Sequence, residues 1–153
     1  MTAPLPPNAV NPACFSQTLL DHDGLMTPVL VAQFGPLTVR QTEARHSETR
    51  FFRRSSIYQA ASGAKILDAV LDISLPSLPL GFLAQLQDED VLFGQLLSDF
   101  SIAVRIADRV LYQSHSRWGR RLTIYRSDTQ AFICKVEELM APDAQLWPLR
   151  LAI

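Results

Sequence analysis

Apolar and polar residues alternate over several long stretches of this chain. Leu37 to Thr42 alternates as Leu-Thr-Val-Arg, and Arg50 to Gln59 is a second β-rich run closed by a turn at Ala61-Ser62-Gly63. Ile66 to Leu75 is a third, halted by Pro76 and Pro79. A period of two predicts strands, and the second and third runs predict an antiparallel hairpin. Ile102 to Tyr112 is a fourth strand. Trp118 to Pro142 reads as another hairpin, two β-rich runs joined through Ser127-Asp128-Thr129-Gln130.

Helical spacing appears elsewhere. Residues 13–21 carry apolar side chains three to five apart, and Asp23-Gly24 ends that segment. A second helix is predicted from Met26-Thr27-Pro28, with Thr27 as N-cap and Pro28 at the first helical position. It stops near Phe34-Gly35-Pro36. Leu80 to Leu97 reads as two short helices broken near Asp88-Glu89-Asp90. The sum is six strands and about four short helices. Strands joined by hairpins, with helices gathered at the N-terminus and in the middle, predict an α+β fold. Its expected form is a six-stranded antiparallel sheet with helices packed on one face.

Composition narrows the class. The chain has 153 residues, 48% of them hydrophobic and 19% charged, enough for one good core. Residues 1–12 read as a flexible Pro-rich lead-in and 13–153 as a single domain. The lead-in lacks the basic and apolar regions of a signal peptide. No apolar run is long enough to span a membrane. A net charge of −1 argues against a broad nucleic-acid surface. The two cysteines, Cys14 and Cys134, are expected as free thiols in a cytoplasmic protein. His22, His46 and His115 form no ligand spacing or triad, so no metal site is expected.

The last hairpin carries the chemistry. Side chains of a strand alternate between faces, so Phe132, Cys134, Val136, Glu138 and Met140 share one face, and Lys135 and Glu137 the other. Glu138 is then an acid on an apolar face, which costs free energy unless it is paired, protonated or used by a ligand. Two readings follow. Glu138 forms a structural ion pair with an arginine of the outgoing strand, or it belongs to a site.

Several ordered segments resemble the chorismate pyruvate-lyase family. They are Phe15 to Thr27, Arg53-Arg54 opening the strand that ends at Gly63, Leu75-Pro76, and Leu92 to Leu97. Val104-Arg105, Trp118-Gly119-Arg120-Arg121 and Glu138-Leu139-Met140-Ala141-Pro142 complete the set. The match covers nearly all of the chain beyond residue 14, and Trp-Gly-Arg-Arg is its most specific part. The run Ser55-Ser56-Ile57-Tyr58 is more polar than in the family, and the last hairpin is longer.

The resemblance implies conversion of chorismate to 4-hydroxybenzoate and pyruvate, a cofactor-free step toward ubiquinone or related hydroxybenzoate products, by a monomer without stable membrane association. It implies that Arg54 grips the ring carboxylate, with Arg53 as the alternative, because adjacent strand residues face opposite ways. It also implies that Glu138 bonds the ring hydroxyl, that Arg105 takes the enolpyruvyl carboxylate, that Met26 covers the ring, and that Phe93-Gly94 offers backbone to the ligand. Arg120 and Arg121 are left as possible braces of the fold. Two other functions fit the same fold: a non-catalytic module binding a small aromatic or lipidic ligand, and a lyase making another hydroxybenzoate isomer.

Overall fold

A computed structural model of the chain describes residues 12–88 and 91–151. The strands are β1 (Leu37–His46), β2 (Arg50–Gln59), β3 (Lys65–Ser74), β4 (Val104–Ser114), β5 (Arg117–Arg126) and β6 (Phe132–Met140). They form one sheet in the order β1-β2-β3-β6-β5-β4, and every neighbouring pair is antiparallel. Two three-stranded meanders therefore meet at the β3–β6 seam. The helices are α1 (Phe15–Leu20), α2 (Met26–Phe34), α3 (Phe82–Leu86), α4 (Phe93–Asp99) and α5 (Asp143–Leu146). Their buried residues pack with one face of the sheet. The α+β architecture is the one the residue pattern predicts.

Several details differ from the sequence expectation. The helix α5 was not foreseen, because its four residues are too few to show a period. The helix α2 begins at Met26 after an extended Leu25, and no side chain caps it, so Thr27 is not its N-cap. Phe132 leaves the inner face: the β5–β6 register shifts between Ile124 and Tyr125, and Ile133 and Cys134 are both fully buried. The shift is a bulge, which breaks strict alternation locally. The expected lead-in, apart from Pro12, falls outside the described residues.

Two apolar clusters sit between sheet and helices. One joins α1 and α2 to Ile57, Ile66, Leu67 and Met140. The other joins α3 and α4 to Phe51, Leu71, Ile73, Leu122, Ile124 and Val136. Burying a Phe or Leu fully contributes about 1.5 to 3 kcal/mol each, so these clusters hold the helices down. Between the clusters runs a different row. The register aligns Gln41, Ser55, Ala69, Glu138, Arg120 and Leu111 across all six strands on the helix-covered face. Polar groups in the middle of a buried face need a reason.

Candidate functional site

The polar row forms part of the floor of a cavity of about 60 Å³. At about 15 Å³ per water this is room for about four waters, whereas a benzene ring takes a cavity of roughly 150 Å³, so a ring enters only as the walls part. Leu25, Met26 and Thr27 at the start of α2 form one wall, and Leu92, Phe93 and Gly94 at the start of α4 form another. The two helix starts meet closely. A Cβ on Gly94 would stand 2.7 Å from Thr27 Oγ1, so glycine is what lets them come together. The remaining lining is mostly apolar, with Arg53, Ser55, Arg120 and Glu138 as its polar floor.

Arg53 is the most unusual of these. It is 1% exposed, and none of its three guanidinium nitrogens has a hydrogen-bond partner among the described residues. Burial lowers its pKa, and Asp88 supplies an opposing attraction. Guanidinium is effectively always charged. A buried cation with every donor idle is costly unless an anion completes it.

Glu138 is held differently. Arg120 donates to its Oε1 from Nε at 3.0 Å and from Nη2 at 2.8 Å. Arg120 is itself 1% exposed, and its Nη1 donates to the His22 carbonyl at 2.9 Å. Burial pushes the Glu138 carboxyl up from its ordinary value, and Arg120 pulls against that. Both nitrogens use the same oxygen, so Oε2 receives no hydrogen bond among the described residues and is left for a ligand donor. The ion-pair reading and the site reading of Glu138 are therefore one arrangement: the pair exists, and it lines the cavity.

Arg53 and Glu138 stand at opposite corners of the floor. Arg53 faces Leu71, which faces Val136, two residues before Glu138. Two inter-strand steps of about 4.8 Å and one two-residue step of about 6.8 Å put their Cα atoms about 12 Å apart. Both long side chains line the space between, with a positive head at one end and a negative one at the other.

Two expected ligand contacts are placed elsewhere. Arg54 lies on the open face of the sheet, more than half exposed, with its Nε 3.1 Å from Glu43 Oε2. The expectation counted residues back from the Gly63 turn. Distance from a turn does not fix which face a residue takes; β2 alternates without a break through buried Phe51, Arg53, Ser55 and Ile57, and Arg53 faces the cavity instead. Arg105 also lies outside the cavity. It is exposed on the edge strand β4, donates to Gln130 Oε1 at 3.0 Å, and stacks 4.7 Å over the Tyr125 ring. Its place as the second cavity arginine is taken by Arg120. The signal for Arg120 was present in β5, where Trp118, Arg120, Leu122 and Ile124 alternate on the parity that meets Glu138. Met26, Phe93 and Gly94 all line the cavity. Met26 Sδ also lies 3.3 Å from His22 Nε2.

The Trp118-Gly119-Arg120-Arg121 segment now has a physical account. Arg120 points in to Glu138, and Arg121 points out toward Glu137 at 3.7 Å. Gly119 lies under the Tyr112 ring, which a Cβ would meet at 2.3 Å. The cysteines take no part: Cys14 is exposed, and Cys134 is buried with its thiol pKa pushed up by burial. No cluster of three or more metal-binding side chains occurs among the described residues, and no described helix is long and apolar enough to cross a membrane.

No family model matches the chain, and no curated protein matches it. Among solved structures, one that matches is the ligand-binding domain of a protein described as a GntR-family transcriptional regulator from Bordetella bronchiseptica. The identity is 12% and the TM-score 0.44, over 79% of this chain and 87% of the other. The function of the cavity is read from its own geometry.

Proposed function

We propose that the cavity binds a single-ring carboxylic acid carrying a hydroxyl at the far end, and that the protein acts on chorismate as a pyruvate-lyase. The observation that carries this reading is the idle guanidinium of Arg53, buried at one end of a cavity whose other end is the Arg120-anchored Glu138. Arg53 can grip a carboxylate through two parallel hydrogen bonds. Glu138 Oε2 can accept from the ring hydroxyl. The resemblance to the lyase family supports the same assignment, with Arg53 rather than Arg54 in the carboxylate role.

The chemistry asks little of the protein. The bond from the ring to the enolpyruvyl oxygen breaks, and the hydrogen on the hydroxyl-bearing carbon passes to the enolpyruvyl methylene. The ring becomes aromatic, and pyruvate leaves. A six-membered cyclic transition state moves that hydrogen without an added acid or base. What this chain supplies is one held conformer, an apolar enclosure, and fixed charges at both ends of the ring.

Binding without turnover is the second reading, and one observation favours it. The closed cavity must widen even for the aromatic product, and further for chorismate, which also carries an enolpyruvyl group. Turnover requires the starts of α2 and α4 to part; a protein that never opened so far would hold the product and do no chemistry.

The test is to incubate purified protein with chorismate, separate the aromatic acids and quantify pyruvate. Equal amounts of 4-hydroxybenzoate and pyruvate, lost in Arg53→Leu and kept in Arg54→Leu, support the lyase. Another hydroxybenzoate isomer keeps the reaction class and changes the product. No turnover with 4-hydroxybenzoate still bound gives the second reading.

A further inference from the structure

The cavity has a polar corner that neither a ring carboxylate nor a para hydroxyl would use. Ser55 lines the cavity and is 6% exposed, yet its hydroxyl makes no hydrogen bond among the described residues. Directly across the β1–β2 ladder stands Gln41, whose Oε1 is buried with no donor among the described residues. Directly opposed residues of an antiparallel pair have Cβ atoms about 5 Å apart, so the two polar side chains are neighbours. A buried acceptor without a donor, beside a hydroxyl without a partner, is an incomplete hydrogen-bond chain. One more group, on a ligand, would complete it.

The floor plan says where on the ligand that group sits. Arg53 and Ser55 are two apart on β2, and Ser55 shares its row with Glu138, two strands away. The axis from Arg53 to Glu138 is a diagonal of this rectangle, and Ser55 is a corner off that diagonal. A ring laid along the diagonal over Ala69 and Leu71 presents one edge to Ser55. Both residues line the cavity and are too short or too apolar to satisfy a polar substituent themselves.

We infer that Ser55, backed by Gln41, is a specificity-determining pair that recognises a hydroxyl on the ring edge, making dihydroxylated benzoates the preferred ligand class. Ser55 Oγ accepts a hydrogen bond from the ligand hydroxyl and donates its own O–H to Gln41 Oε1, so both groups are satisfied at once. This rests on the carboxylate-and-hydroxyl reading of the same cavity, and the experiment separates the two.

Calorimetric titrations would compare 4-hydroxybenzoate, 2,4-dihydroxybenzoate and 3,4-dihydroxybenzoate on the intact chain and on Ser55→Ala, Ser55→Thr and Gln41→Leu. At least one dihydroxybenzoate should bind about fivefold tighter than 4-hydroxybenzoate, the worth of one net hydrogen bond. That advantage should vanish in Ser55→Ala, persist in Ser55→Thr and shrink in Gln41→Leu. Far-ultraviolet circular dichroism and a cooperative thermal melt check that Ser55→Ala is folded. If 4-hydroxybenzoate binds and neither dihydroxybenzoate binds more tightly, or the advantage survives Ser55→Ala, the specificity pair is wrong and the cavity reading stands. If none of the three acids binds, both fall.

Discussion

The two faces of the sheet carry the same residue types and use them in opposite ways. On the helix-covered face, Arg120 and Glu138 form a buried pair at 2.8 Å. One residue away on each strand, Arg121 and Glu137 form a 3.7 Å pair on the open face, with both side chains well exposed. Arg53 is buried without a hydrogen-bond partner among the described residues, while its neighbour Arg54 is exposed and paired with Glu43. Composition cannot distinguish these groups; strand parity and helix cover do. On the open face water solvates each charge, and the pairs are nearly free to break. On the covered face every charge must be completed by the protein or by something that enters.

The largest expected contrast lies in the two ion pairs. Arg120→Ala strands a buried carboxylate and should cost about 3 to 5 kcal/mol. Arg121→Ala should cost at most about 1 kcal/mol, as exposed pairs do. Urea denaturation of the two variants measures the difference. Replacing the inner pair together, Arg120→Met with Glu138→Leu, should restore stability to the original level or above it while abolishing binding of 4-hydroxybenzoate. Equal losses from Arg120→Ala and Arg121→Ala would erase the distinction between the faces.

Next comes the unpartnered cation. Arg53→Leu removes three buried donor nitrogens that have no hydrogen-bond partner among the described residues, and should stabilise the fold by about 1 to 3 kcal/mol. The same change should eliminate binding of any ring carboxylate. Arg54→Leu should change neither quantity by much. A gain in stability paired with a loss of binding is what a group held ready for a ligand produces. If Arg53→Leu destabilised the protein and left affinity unchanged, Arg53 would be a structural residue completed by Asp88.

These arginines also show what could be read from the sequence. The six strands were legible because alternation runs nearly unbroken through each. Glu138 was legible because Val136, Cys134 and Met140 mark its face as apolar. The choice between Arg53 and Arg54 was not, since Phe51 and Phe52, and Ile57 and Tyr58, offer apolar partners on both parities. Distance from the Gly63 turn gave Arg54, although β2 itself alternates unbroken; Phe132 was misplaced for another reason, the extra residue Ile133 in β6. Arg105 followed position within a resembling segment, and no pattern in β4 opposed it. Bulges cost one residue each and leave no mark in a hydropathy pattern, yet they reverse the facing of everything beyond them.

Two glycines sharpen the contrast further. Gly94→Ala places a methyl 2.7 Å from Thr27 Oγ1, between the two helix starts that close the cavity. It should cost about 1 to 3 kcal/mol as overpacking and weaken binding of 4-hydroxybenzoate. Gly119→Ala meets the Tyr112 ring on the open face, where the ring can swing into solvent. It should cost about 1 kcal/mol and leave affinity alone. Thermal melts with and without the ligand read both effects, and a loss of affinity in Gly119→Ala would show that the two faces are coupled through β5.

The smallest effect is a proton on the open face. Tyr112 donates to Glu137 Oε1 at 2.8 Å. Burial beneath its neighbours, and then the Glu137 carboxylate, push its phenol from 10.0 to about 12. The sign for stability follows. The folded chain holds this proton more tightly than the unfolded chain, so the contribution is intact below pH 10.0 and is lost as pH rises through about 12. Phenolate absorbance during an alkaline titration should resolve one late tyrosine, absent in Tyr112→Phe. Glu137→Gln should bring it back toward 10.0 without reaching it, because burial remains the larger cause. Affinity for 4-hydroxybenzoate should be the same in Glu137→Gln as in the unaltered chain, since Glu137 and Glu138 lie on opposite sides of one strand. A titration unmoved by Glu137→Gln would leave burial as the whole cause of the shift. A change in affinity would mean that the strand transmits charge from the open face to the covered one.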